Sequence, residues 1–115
     1  MRYLVMIVVM MAGTPPALAA QNAVERYCRE MASVAETIMD QRQQGRPAPE
    51  VIDTVTTGDP ALDPALERLV LSAYENAPRH QSERMRREAA EEFSTVVYTQ
   101  CRRAEGTVPG QEARR

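Results

Sequence analysis

The chain has 115 residues, a formal net charge of −2 and 26% charged side chains. That length fills one domain and excludes a multidomain enzyme. The slight acidic balance, with 14 basic residues that are all Arg, argues against a nucleic-acid surface, which needs a clustered basic stripe with interleaved aromatics.

The amino terminus reads as an export signal. Arg2 supplies a short positive region, and Leu4 to Ala12 (LVMIVVMMA) carries no charged or polar side chain. Gly13, Thr14, Pro15 and Pro16 break it, and Ala17-Leu18-Ala19 follows as a small-residue cleavage pattern. The apolar run is too short for a permanent anchor, which needs roughly 20 residues. Cleavage is expected after Ala19, with Ala20 the alternative. Residues 1–19 are then the signal, 20–105 one helical domain and 106–115 a flexible tail. Removing the signal leaves 13 Arg against 16 acidic residues, a formal net charge of −3.

The rest of the chain predicts helices in order. The first spans Asn22 to about Gln44, with Asn22 as N-cap and Glu25 completing a variant capping box. Val24, Cys28, Met31, Ala35, Ile38 and Arg42 recur at helical spacing, Met39 widens the stripe, and Gly45 stops it. Arg46-Pro47-Ala48-Pro49 is an extended connector. A short helix is expected over Glu50 to Thr56, although its Val, Ile and Thr content also suits a strand. Asp63-Pro64 predicts an N-cap and first helical residue, with the third helix ending near Asn76. The fourth runs from Gln81 or Ser82 to Arg103, with Met85, Ala89, Phe93, Val96, Val97 and Cys101 as its apolar stripe.

Cys28 and Cys101 are the only cysteines. In an exported chain they are expected to form a disulfide. A redox-active pair or a shared metal site is the alternative, but neither has a second cysteine or a ligand set at motif spacing. Both cysteines lie on apolar stripes, one early in the first helix and one late in the last. The expected fold is therefore all-α: a small bundle of three to four helices, the first and last antiparallel and joined by the Cys28–Cys101 bridge.

Catalytic signals are sparse. His80 is the only histidine and sits in a turn, where a solvent-exposed role is expected. Ser33, Ser72, Ser82 and Ser94 lack a nucleophile-elbow pattern. Glu88, Glu91 and Glu92 lack the Glu-x-x-His partner of a di-iron bundle. No enzymatic activity, metal or cofactor is expected.

The most unusual charge feature is Arg79, Arg84, Arg86 and Arg87 around the start of the fourth helix. Cations there oppose the helix dipole by about 0.3–1 kcal/mol each. They read as a solvated face with Arg84–Glu88 and Arg87–Glu91 pairs, or as a contact surface for an acidic patch on another protein.

The stretches CREMASVAETIMDQRQQG (residues 28–45) and AYENAPRHQSERMRREAAEEFSTVVYTQC (residues 73–101) resemble a group of small exported two-cysteine helical proteins of Gram-negative bacteria and their mobile elements. The shared features are a Tyr-x-x-x-Pro turn and Phe, Tyr and Cys at helical spacing. The resemblance implies helical architecture and export only. Size and a single disulfide are also similar to the acid-stress periplasmic chaperones. The expected function is a non-enzymatic periplasmic protein-binding module of immunity, inhibitor or accessory type, without a nucleic-acid partner or a membrane anchor. The alternative is an acid-responsive stress chaperone.

Overall fold

A computed structural model describes residues 16–105, and both the expected signal up to residue 15 and the expected tail from 106 lie outside them. The described residues form four helices and no strand: α1 (Pro16–Gln43), α2 (Ala48–Val55), α3 (Asp63–Asn76) and α4 (Glu83–Glu105). No described helix is long and apolar enough to cross a membrane.

Three helix boundaries depart from expectation. α1 begins at Pro16 rather than Asn22. The alanines at 17, 19, 20 and 23 are strong helix formers and carry the helix back past Asn22. Asn22 is therefore an exposed interior residue, and Glu25 pairs with Arg29 at 2.6 Å instead of closing a capping box. The α2 segment is the expected helix and not a strand, but it begins at Ala48, inside the connector expected to be extended. Pro49 in its first turn and Glu50 beside the free N–H groups suit a helix start. At α3 the cap residue is Leu62, and Asp63 is the first helical residue. The Asp63 carboxylate points backward, accepting the Thr57 N–H at 2.8 Å and the Gly58 N–H at 2.9 Å.

The ends of α1 and α4 follow the sequence. Gly45 adopts φ +85°, with Gly45 N–H donating to Arg42 O and Arg46 N–H to Gln41 O. These are the paired bonds of a Schellman stop. Ser82 Oγ accepts the Met85 N–H at 3.1 Å and caps the start of α4.

α1 is the central helix: α4 packs along it, while α2 and α3 pack together and also against it. Cys28 lies beside Cys101, Ala32 beside Ser94 and Gln43 beside His80, so α1 and α4 run antiparallel. Their seam is built from small side chains: Ala32, Ala35 and Ala90 are buried. Ser94 Oγ donates to Ala32 O at 2.9 Å across it. Ile38, Met39, Val51, Val70, Ala73 and Ala90 form the core cluster.

The Cys28–Cys101 disulfide closes the seam at the start of α1, with Cα atoms 5.5 Å apart, inside the usual range. Cys28 is fully buried and Cys101 half-buried. Tyr27 is exposed and Tyr98 half-buried, so both leave the core.

Candidate functional site

The other end of the α1–α4 pair is closed by polar side chains that grip the backbone of residues 77–81. Gln43 is the buried polar side chain of the core, 1% exposed. Its Nε2 donates to Pro78 O at 2.9 Å, and its Oε1 accepts the His80 N–H at 2.7 Å. Arg42 donates from Nε and Nη2 to Ala77 O, and its guanidinium lies 4.8 Å over the Tyr74 ring. Tyr74 Oη donates to Arg46 O, which ties the α1–α2 connector to α3. Burial pushes the Tyr74 phenol up from its ordinary pKa, against the lowering effect of Arg42. From the α4 side, Arg86 Nε donates to His80 O at 2.8 Å and its Nη2 to Gln81 O at 3.2 Å.

This clamp sorts the four arginines singled out above. Arg86 is half-buried and committed to loop carbonyls. Arg79 lays its guanidinium over Gly45, where an added Cβ would come within 2.8 Å of it. Arg84 pairs with Glu88 at 3.5 Å, as expected. Arg87 pairs with Glu83 at 3.9 Å rather than with Glu91. Glu on the N-terminal side of its cation is the better orientation on a helix. Arg84 and Arg87 alone of the four sit in exposed ion pairs, which contribute little to stability.

Two clefts flank α4. The first, of about 600 Å³, runs between α1 and α4 and is lined by Glu36, Asp40, Glu83, Arg86 and Arg87 among others. Its walls carry both charge signs. The second, of about 400 Å³, lies between α3 and α4. Met39 of α1 lines it, as do Ser72 and Asn76 of α3 and Ala89, Phe93 and Val96 of α4. His80 also lines this second cleft, half-buried with its backbone held at both N–H and C=O. The expected solvent-exposed turn histidine is thus a fixed residue at a cleft wall.

The α4 stripe read from the sequence divides in two. Val97 and Cys101 turn toward α1 together with Ala90 and Ser94, which that stripe did not include, and Ala90 and Val97 are buried. Ala89, Phe93 and Val96 lie one step around the helix and face the second cleft; Met85 follows the same row, and Met85 and Val96 remain 45% and 41% exposed. The sequence reading contained the row but not its partial exposure, and the clamp escaped it. Arg42 on an otherwise apolar stripe was the one signal that this end of α1 meets polar partners.

Among the described residues, no group of three or more His, Cys, Asp or Glu side chains is placed to hold a metal ion. No family model, curated protein or solved structure matches the chain.

Proposed function

We propose that this protein is an exported, non-enzymatic protein-binding module of the periplasm, of immunity, inhibitor or accessory type. The observation that carries the reading is the apolar row Met85, Ala89, Phe93, Val96 beside an open cleft, on a helix held at both ends. Ala89 and Phe93 pack on the core cluster, while Met85 and Val96 stay exposed beside the cleft, which supports a contact surface there. Arg84 and Arg87, exposed near the start of the same helix, add charge for an acidic patch of the partner. The disulfide supports an oxidising compartment, in line with the expected signal.

The test is capture with the mature, disulfide-bonded protein immobilised in periplasmic extract. A saturable, stoichiometric partner that is lost on reduction and unfolding is expected. Its absence across growth phases and stress conditions sinks the reading.

One observation favours the acid-responsive chaperone as a second reading. The Asp63 carboxylate, which braces the α2–α3 turn, has its pKa lowered chiefly by the Thr57 backbone N–H. Protonation in acid releases that brace. Binding of an apolar dye as pH falls, together with suppression of client aggregation, separates the two readings.

A further inference from the structure

Two Asp–Pro peptide bonds, Asp59–Pro60 and Asp63–Pro64, lie at the entry to α3. Such bonds are among the most acid-labile of a polypeptide. The proline nitrogen is a tertiary amide with no N–H. It leaves more readily than an ordinary amide nitrogen once protonated, and it cannot attack the aspartyl side chain to form a cyclic imide. The carboxylate of the same Asp is then the nucleophile, tethered within reach of its own carbonyl carbon.

The fold treats the two bonds differently. The Asp59 carbonyl oxygen accepts two backbone N–H groups, from Leu62 at 3.1 Å and from Asp63 at 2.9 Å. Negative charge develops on that oxygen when its carbon is attacked, and two fixed donors stabilise it there. Asp59 Oδ1 accepts the Ala61 N–H at 2.9 Å, while Oδ2 has no hydrogen-bond partner among the described residues. Asp59 and Pro60 are both exposed, so water reaches the bond. At Asp63 both oxygens are committed to the preceding turn: Oδ1 accepts the Thr57 N–H and hydroxyl, and Oδ2 the Gly58 N–H. Attack on its own carbonyl would break these bonds, and the Asp63–Pro64 peptide lies inside α3. Asp63 is also the ionisable group tied to the Asp59 turn, because the Thr57 hydroxyl that donates to it accepts the Asp59 N–H at 3.2 Å.

We infer that this turn makes Asp59–Pro60 a self-cleavage site in acid. A lone pair on Asp59 Oδ2 attacks the Asp59 carbonyl carbon and closes a cyclic anhydride. The bond to the Pro60 nitrogen breaks, and its electron pair stays on that nitrogen, which takes a proton from the acidic solvent. Water then opens the anhydride and leaves Asp59 as a free C-terminus. No oxidant, metal or second protein takes part. The cut falls between Cys28 and Cys101, so the disulfide keeps the two halves joined. One half carries α1 and α2, the other α3 and α4, and the core contacts of Ile38 and Val51 with Val70 cross the cut. The halves therefore part only when acid cleavage is followed by reduction.

The disulfide-bonded protein is held at about pH 4, near the ordinary carboxylate value, until a denatured sample at the same pH is cut. Both are followed by mass spectrometry and on gels with and without reductant. The folded chain is expected to gain the mass of one water and to run as one band without reductant. With reductant it gives two fragments, one ending at Asp59 and one beginning at Pro60. In the folded protein this cut should outrun cleavage at Asp63–Pro64 by at least about tenfold, because only Asp59 combines an unbonded carboxylate oxygen with donors on its carbonyl. In denaturant the two rates should come together. Asp59→Glu lengthens the tether and Pro60→Ala replaces the leaving group, both at exposed positions. Each is expected to keep the melting temperature and lose the cut. An intact folded chain, equal cutting of the two bonds in the folded state, a rate at Asp59–Pro60 that denaturant does not lower, or a cut that survives both substitutions overturns the site.

Discussion

The two ends of the α1–α4 pair are closed by opposite chemistry. At one end a single covalent bond joins Cys28 to Cys101. At the other, Gln43, Arg42 and Arg86 hold the backbone of the α3–α4 turn by hydrogen bonds alone. A disulfide acts mainly on the unfolded chain, by removing conformations it would otherwise explore. The clamp exists only in the folded state and decides where His80, Ala77 and Pro78 sit. Those three residues line the α3–α4 cleft. The covalent end therefore governs how stable the domain is, and the polar end governs the shape of its contact surface.

The largest expected effect comes from the covalent end. Replacing both cysteines, Cys28→Ser with Cys101→Ser, opens a loop of 73 residues in sequence separation. On the chain-entropy account this costs about 4 kcal/mol, a large part of the 5–15 kcal/mol typical of a domain. The melting temperature should fall by roughly 15 °C or more. At a temperature where the variant is still folded, the amide signals of Ala89 and Phe93 should stay in place. A loss below about 1 kcal/mol would mean that the unfolded chain is already compact. Movement of the cleft signals would break the division of labour between the ends.

At the polar end the effect is smaller and more local. Gln43→Ala removes the donor to Pro78 O and the acceptor for the His80 N–H in a buried setting. A cost of about 2 kcal/mol is expected, with large shifts at His80 and along the cleft. Gln43→Glu sharpens the point. It keeps an acceptor for the His80 N–H but sets a carboxylate against the Pro78 carbonyl, and burial raises its folded pKa above the unfolded value of about 4.3. Only the protonated form donates to Pro78 O. The variant should be nearest to the native protein below that unfolded value and lose stability as pH rises through the raised folded one. Denaturation curves across pH check this directly, and a flat profile would show that Pro78 O does not depend on a donor from residue 43.

Much of the fold was legible because helical periodicity and stop signals are local. Gly45, Ser82 and the cysteine positions predicted the ends of the long helices and the antiparallel bridge, and the structure bears them out. What was not legible depends on partners distant in sequence. Asn22 had the identity of a cap but lies inside a helix carried on by alanine. Arg86 looked like part of a basic patch, yet its guanidinium is spent on two carbonyls of the preceding turn. The α4 stripe was read as one face. It is a wide stripe, and α1 covers only part of it because the Ala-lined seam brings the two helices close along one edge. The remainder stays uncovered because α3 packs on α1 and α2 rather than along α4, a placement that no local signal encodes.

A third joint uses neither the disulfide nor Gln43. Asp63 closes the α2–α3 turn, accepting the Thr57 N–H, the Thr57 hydroxyl at 3.0 Å and the Gly58 N–H. The Thr57 backbone N–H leads these bonds in lowering its pKa, against the opposing effect of burial. A depressed folded pKa stabilises the fold above the ordinary carboxylate value, near pH 4, and that contribution disappears as pH falls through the folded value. Asp63→Asn keeps the side-chain shape and removes the charge. The variant should be less stable than the native protein at neutral pH, and the two melting curves should converge as the pH falls below the ordinary carboxylate value and through the lowered folded one. The difference should be the smallest of the three, because the carboxylate is open to solvent and its bonds compete with water. Parallel curves over that range would remove Asp63 as an acid-sensitive joint, and with it the structural support for the chaperone reading. Convergence accompanied by dye binding would place the first acid opening at α2–α3, on the side of α1 away from the disulfide seam.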